Sequence, residues 1–365
     1  PDHKAILAFG GGHASSQGND VWLYDTAKDE WRQQYLPDCV AQWENSPYYM
    51  SGWNCAGDKI NGEYPLVTSQ AVYDGLIGQG QWLPPGTTKA KKPWHFHTMD
   101  QLAYNAYNHS LFVFNPNYFP ENWLVDQGYA YNIHADTAFE YHVETKSWTN
   151  IPSPQLNTFG SDGASAEYDP INKKIVALGP ATGDRWGPWQ TMVYDVQTKK
   201  WENRGNAPFN FSMVPLSYDT VNKVMLIFGA DFCASCNELW SYDVATNKWT
   251  KKNPSPDPAY GLPPAGAPGA AFDSKNGVLI LFGRGDSGGA SIDTWLYNAK
   301  TNSWKRMLPQ TQPPITMVFG HMVYDPVNNV VFMYNSQDLW TYRYKKTPVS
   351  GDLVPPTPPK NLSVK

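Results

Sequence analysis

The chain has 365 residues, 15% of them aromatic and 17% charged, with a formal net charge of −5. This acidic balance, with no extended run of lysine and arginine, argues against a nucleic-acid partner. No apolar stretch approaches the ~20 residues that span a bilayer as a helix, and the length suits one large domain rich in packed aromatic side chains.

In chain order, the first readable element is the apolar run Ala5–Phe9 followed by Gly10-Gly11-Gly12. Tyr24 comes next, with Trp31 seven residues later, and the same spacing returns at Tyr141 and Trp148, Tyr194 and Trp201, Tyr242 and Trp249, and Tyr297 and Trp304. A spacing that recurs five times is an internal repeat. Upstream of these pairs lies a second signature. Tyr168-Asp169 leads through Pro170 and Asn172 into the apolar run Ile175–Leu178 and Gly179. It recurs at Tyr218-Asp219 with Asn222, at Phe272-Asp273 with Asn276, at Tyr324-Asp325 with Asn328 and, more weakly, at Tyr104-Asn105 with Asn108. Asp, Pro and Asn suit tight reversals, and the flanking β-branched and aromatic runs read as strands. Each unit is therefore strand, tight turn, strand, variable loop, strand ending in Tyr, short turn, strand opening on Trp. Four antiparallel strands every 45 to 55 residues describe one propeller blade.

The glycine after the second strand, the Tyr-Asp that closes the third and the Trp that opens the fourth resemble the kelch family. The fold class expected is therefore all-β, a kelch-type β-propeller over residues 1–346. Six four-stranded antiparallel blades are preferred over seven, with residues 37–95 an insertion between blades 1 and 2, since Tyr73-Asp74 and Trp82 there are nine apart and no turn-plus-apolar hairpin precedes them. Pro1–Gly10 superposes on Pro170–Gly179, so the first strand of blade 1 is expected upstream. The Pro-rich segment 347–365 resembles the opening of a fibronectin type III module, and the chain is read as a monomeric piece of a larger multidomain protein. The galactose-oxidase relatives build a copper-radical site on such a propeller, but they place a Tyr-His pair where this chain has Phe96-His97. Phenylalanine cannot ligate copper, so that activity is not expected.

Cys39, Cys55, Cys233 and Cys236 fall in loops. Disulfides Cys39–Cys55 and Cys233–Cys236 are favoured over a zinc site or a redox pair, and with them a secreted or extracellular location.

Long loops on a rigid scaffold carry sites. The long ones here are 37–96, 115–136, 180–190, 230–238 and 284–293, and propeller topology puts all five on one face. That face collects His13 from blade 1, Trp43 from the insertion, His97 and Tyr118 from blade 2, Arg185, Trp186 and Trp189 from blade 3, Asp231 from blade 4, Arg284 from blade 5 and His321 from blade 6. His97, His13, Tyr118 and Arg185 are the catalytic candidates. A polysaccharide lyase needs a base for the proton α to a uronate carboxylate, an acid for the leaving oxygen and a cation for the carboxylate. Histidine, tyrosine and arginine supply these. Trp186, Trp189, Trp43, Arg284, His321 and Asp231 are the substrate-binding candidates, because loop tryptophans pack on the C–H faces of sugar rings. The expected partner is a polysaccharide or other glycan. The alternative is a non-catalytic propeller that binds a glycan or a protein. No cofactor is expected. A second alternative places a metal ion at the rim histidines, but His97 lies seven residues before its strand tyrosine and His321 only three, which separates them by ~13 Å along the channel. Within the propeller reading, His97 and Arg185 are the residues on which the mouth should depend.

Overall fold

The computed structural model describes residues 4–9, 20–35, 100–114, 137–152, 163–181, 187–230, 235–283, 293–313, 321–334 and 339–345. These form twenty-two strands in six antiparallel sheets, with no helix among the described residues. Blade 1 holds β1 (Ala5–Phe9), β2 (Val21–Asp25) and β3 (Glu30–Gln33). Blade 2 holds β4 (Leu102–Asn105), β5 (Ser110–Val113), β6 (Thr137–His142) and β7 (Ser147–Pro152). Blade 3 runs β8 (Ser165–Asp169), β9 (Lys174–Pro180), β10 (Trp189–Asp195) and β11 (Lys200–Asn206), and blade 4 runs β12 (Leu216–Asp219), β13 (Val224–Phe228), β14 (Leu239–Asp243) and β15 (Lys248–Lys252). Blade 5 comprises β16 (Gly269–Asp273), β17 (Val278–Phe282), β18 (Thr294–Asn298) and β19 (Ser303–Met307), and blade 6 comprises β20 (His321–Asp325), β21 (Val330–Tyr334) and β22 (Leu339–Tyr342).

The chain is thus a six-bladed all-β propeller. The innermost strands β4, β8, β12, β16 and β20 pack each against the next. Blade 1 closes the ring from both sides. Its Phe9 and Val21 share a core with Val113 and Phe139 of blade 2, and its Tyr24 shares one with Val330 and Phe332 of blade 6. Residues 37–95, expected as an insertion, and 347–365 lie outside the described residues.

The repeat has a physical cause at each position. All five Tyr–Trp pairs are directly opposed across the third and fourth strands, with ring centroids 4.9–5.4 Å apart. Tyr24, Tyr141, Tyr194, Tyr242 and Tyr297 are buried between blades, and each ring removed from water contributes roughly 1.5–3 kcal/mol. The strand-ending Asp or Asn builds the turn that follows. Asp169 Oδ1 accepts from the amides of Ile171 and Asn172, and Oδ2 accepts from Asn172 Nδ2 at 2.7 Å. Asp219, Asp273 and Asp325 hold Asn222, Asn276 and Asn328 in the same way. Blade 2 transposes the charge. Asn105 takes the turn position, and the carboxylate comes from buried Glu140 on β6, which accepts from Asn105 Nδ2 at 2.6 Å, Asn108 Nδ2 at 3.1 Å and Ser110 Oγ at 3.2 Å.

Each of these turns closes on a residue in the left-handed region. Lys173 has φ 55°, Lys223 61°, Gly277 70° and Asn329 53° in turns between first and second strands, and Lys146 has 51°, Lys199 58°, Asn247 53° and Asn302 49° in turns between third and fourth. Asn tolerates this conformation better than Lys does. In three blades it also receives the tyrosine hydroxyl five residues earlier: Tyr242 donates to Asn247 at 2.8 Å, Tyr297 to Asn302 at 2.9 Å and Tyr324 to Asn329 at 2.9 Å. In blade 2 that residue is Lys146, and the buried Tyr141 hydroxyl has no partner among the described residues; burial pushes its pKa up to about 12. Lys146→Asn is therefore expected to stabilise the domain by ~1–2 kcal/mol. Urea denaturation checks it, and in a Tyr141→Phe background the hydroxyl's share of the gain should vanish.

Candidate functional site

The two faces of the ring differ in their connections. All ten connections that join first to second or third to fourth strands are four residues long, from 26–29 in blade 1 to 326–329 in blade 6. On the opposite face the strand ends are joined by stretches that run from 335–338 to 34–101. This loop face is the one on which the sequence collects its candidates.

Two described loop-face connections show how the rim is built. Between blades 3 and 4, Phe211 is buried and stacks on Trp249 at 5.5 Å. Met213, at φ 59°, donates its amide to Gly163 O at 2.9 Å, and Ser165 Oγ donates to Val214 O at 2.6 Å. Within blade 4, Gly229 donates to Glu238 O at 3.1 Å, and from the connection between blades 4 and 5 Gly266 donates to Cys236 O at 3.4 Å. Cys236 is disulfide-bonded; the expected partner Cys233 lies outside the described residues, as do Cys39 and Cys55. Outside Cys236, the Glu238 carboxylate pairs with Lys251 and accepts from Trp240 Nε1 at 3.0 Å.

Of the candidate residues, His97, His13, Tyr118, Arg185, Trp186, Arg284, Trp43 and Asp231 lie outside the described residues. His321 opens β20, opposite Tyr334, which puts its backbone at the loop-face end of an innermost strand. Trp189 requires a correction. It is the first residue of β10, paired with Pro180, and is only 2% exposed. The β9–β10 hairpin extends further than a loop over 180–190 allows, and the ring packs with Val214, Leu216 and Met225 between blades 3 and 4. A side chain so enclosed contributes to the core and presents no face to a sugar.

Two acidic residues at the ring's centre were not singled out by their sequence context. Asp100 lies along the free inner edge of β8. Its carbonyl accepts from Ala166 N at 2.8 Å, and its Oδ2 accepts from Leu216 N of β12 at 2.8 Å. Glu167 on β8 accepts from its neighbour's amide, Tyr168 N, at 2.6 Å. Innermost strands leave one row of amides without a strand partner, and these carboxyl groups satisfy two of them. Burial pushes Asp100 well above the usual carboxylate range, against the Leu216 amide and with the repulsion of Glu167 added. Burial pushes Glu167 up to about 7, against the Tyr168 amide. Aligning the repeats would have found both. The residue before the strand tyrosine or phenylalanine is Ala103, Ser217, Ala271 or Val323 in the other blades, and the residue four before it is Ala164, Val214, Pro268 or Gly320.

Among the described residues no three His, Cys, Asp or Glu side chains are grouped to hold a metal ion, and no helix is long and apolar enough to cross a membrane. The family model described as the attractin/LZTR1 β-propeller matches residues 182–348, from the connection between β9 and β10 through blade 6. No curated protein matches the chain significantly.

Proposed function

We propose that this chain is a non-catalytic binding propeller that takes a glycan or a protein ligand at the loop-face mouth of its channel. The observation that carries this reading is the asymmetry of the connections: uniform four-residue turns on one face, and on the other all the variation in length that the chain contains. A rigid ring with variable loops on one rim is the arrangement that positions recognition residues without altering the scaffold. The resemblance of its second half to the attractin/LZTR1 propeller is compatible with binding. Arg185 and Trp186, flanked by Gly183 and Gly187, combine a planar cation with an aromatic face, which suits a carboxylate-bearing ligand. The disulfide at Cys236 supports an oxidising compartment, so secretion belongs to the proposal.

The lyase reading differs in one measurable respect. Incubation of the full chain with a panel of uronate polysaccharides should release no unsaturated, ultraviolet-absorbing product, while immobilised glycans or cell-surface proteins retain the chain. In the double variant Arg185→Ala, Trp186→Ala, retention should fall about tenfold with an unchanged circular dichroism spectrum. An unsaturated product that disappears in His97→Ala would establish catalysis and overturn the proposal, and undiminished retention in the double variant would move the site elsewhere.

A further inference from the structure

The turn face carries a second surface. In eight of its ten described turns an Asp or Asn side chain accepts the amide two residues on: Ile171, Val221, Val327 and Tyr107 in turns at the ends of innermost strands, and Ala27, Gln197, Ala245 and Lys300 in turns nearer the periphery. The peripheral turns show that this position needs no apolar side chain. Yet four of the five described inner turns place Tyr107, Ile171, Val221 and Val327 there. Tyr107 is 45% exposed, Ile171 59% and Val327 56%, three of the most exposed large apolar side chains described. One exposed apolar residue needs no explanation, but the same register position repeated around an axis forms a patch.

The patch is braced and mainly basic. Neighbouring turns touch: Lys173 Nζ stands 5.3 Å over the Tyr107 ring and Asn276 Nδ2 donates to Asn329 Oδ1 at 3.3 Å, both between inner turns, and Asn222 Nδ2 of the blade 4 inner turn donates to Ala299 O in the peripheral turn of blade 5 at 3.2 Å. The turn carboxylates Asp169, Asp219 and Asp273 are buried, at 0%, 0% and 2% exposure, and Asp325 of blade 6 is half-buried. Lys223 and Lys275 are exposed and Lys173 half-buried. No inner turn among those described offers an exposed carboxylate, although the chain as a whole has a net charge of −5.

We propose that this collar, centred on the turn-face mouth of the channel, is a docking surface for an acidic protein segment that also carries apolar side chains. The aliphatic and tyrosine side chains supply desolvation, and the lysines select the sign of charge. Because neighbouring turns brace one another, little ordering entropy opposes binding. A nucleic acid would use the lysines and leave Ile171 and Val327 without a counterpart, so a protein fits better.

The test uses fluorescence anisotropy on the full chain with a short fluorescein-labelled peptide of alternating Glu and Leu, and matched Glu/Ser and Lys/Leu peptides as controls. The Glu/Leu peptide should bind at least about tenfold tighter than either control, which corresponds to about 1.4 kcal/mol. Ile171→Ser with Val327→Ser should remove most of that advantage. Lys173→Gln, Lys223→Gln and Lys275→Gln together should remove it and flatten the dependence on salt. All of these side chains are exposed or half-buried, so folding should be unchanged by circular dichroism. Equal affinity for the three peptides, affinity untouched by both variants, or tighter binding of single-stranded DNA than of the Glu/Leu peptide would each overturn the proposal.

Discussion

Gly229→Ala is expected to destabilise the domain by ~3–4 kcal/mol, enough to bring a large part of the population to unfolding under mild denaturant. Gly229 ends the second strand of blade 4 at φ 79°, a conformation that L side chains rarely adopt. A Cβ there would overlap the Gly266 carbonyl oxygen and meet Gly266 C at 3.3 Å and Cys236 O at 3.5 Å, all backbone atoms of the joint between blades 4 and 5. Backbone cannot rotate away as a side chain can, so blade 5 would have to shift against blade 4. Gly205 and Gly261 provide the control. They have φ 92° and 79°, and a Cβ at either meets nothing within 4 Å. Alanine at those positions should cost only the backbone preference, ~1 kcal/mol. If urea denaturation gives Gly229→Ala and Gly261→Ala the same cost, the close approach of the two blades is not what fixes this glycine.

This glycine also shows why the fold was legible in the sequence while the site was not. A propeller repeats one set of steric and hydrogen-bonding demands six times. Tyr and Trp stay seven apart because each pair must meet across a four-residue turn, and Asp stays three before Asn because one carboxylate must hold two amides and an amide side chain. Such demands are visible without alignment to any other protein. A second repeat of the same kind was also there to be read: Trp22, Trp240, Trp295 and Trp340 each precede a third-strand tyrosine by two residues, on the same side of the strand. Ligand contacts answer to the ligand and recur nowhere in the chain, so residue type and loop length were the only guides to them. Trp189 marks the limit of those guides. Its place in the stretch 180–190 reads as a loop, but blade 3 extends the β9–β10 ladder by pairing Trp189 with Pro180 and Gln190 with Gly179, and the ring enters the core. Asp100 and Glu167 fail in the opposite way. They break the repeat at positions that are small or apolar elsewhere, and only register against the other blades exposes them.

The burial of those two carboxyls gives the stability of the ring a pH dependence of its own. The chain is expected to lose stability as pH rises from about 5.5 to 8.5, contrary to what surface carboxylates would produce. Glu167 is held up to about 7 by burial, above its ordinary value of 4.5, and Asp100 is displaced in the same direction. A carboxyl whose pKa is raised by folding binds its proton more tightly in the folded state. Its contribution is therefore complete below the unfolded pKa and disappears as pH climbs through the folded one. For Glu167 the window runs from about 4.5 to 7, and the loss is on the order of 2–3 kcal/mol. Asp195 has the opposite sign. Burial alone would raise it, but its ion pair with Lys174 and the amides of Thr198 and Gln197 prevail and lower it to about 2. Its contribution is present at neutral pH and is lost only as pH falls through its folded pKa. Glu238, lowered by its bond to Lys251, acts in the same sense. The stability optimum should therefore lie where these windows meet, near pH 4.5. Glu167→Gln keeps an oxygen for the Tyr168 amide and removes that residue's titration, so the separation between urea midpoints at pH 5.5 and 8.5 should be smaller in this variant than in the native chain, with Asp100 supplying what remains. Around these groups stand the amides of Leu216 and Tyr168 and the hydroxyl of Ser165, itself committed to Val214 O, and among the described residues no cation acts on either carboxyl. If native chain and variant lose stability in parallel, the proton is leaving from another group and the centre of the ring is not where the pH is sensed.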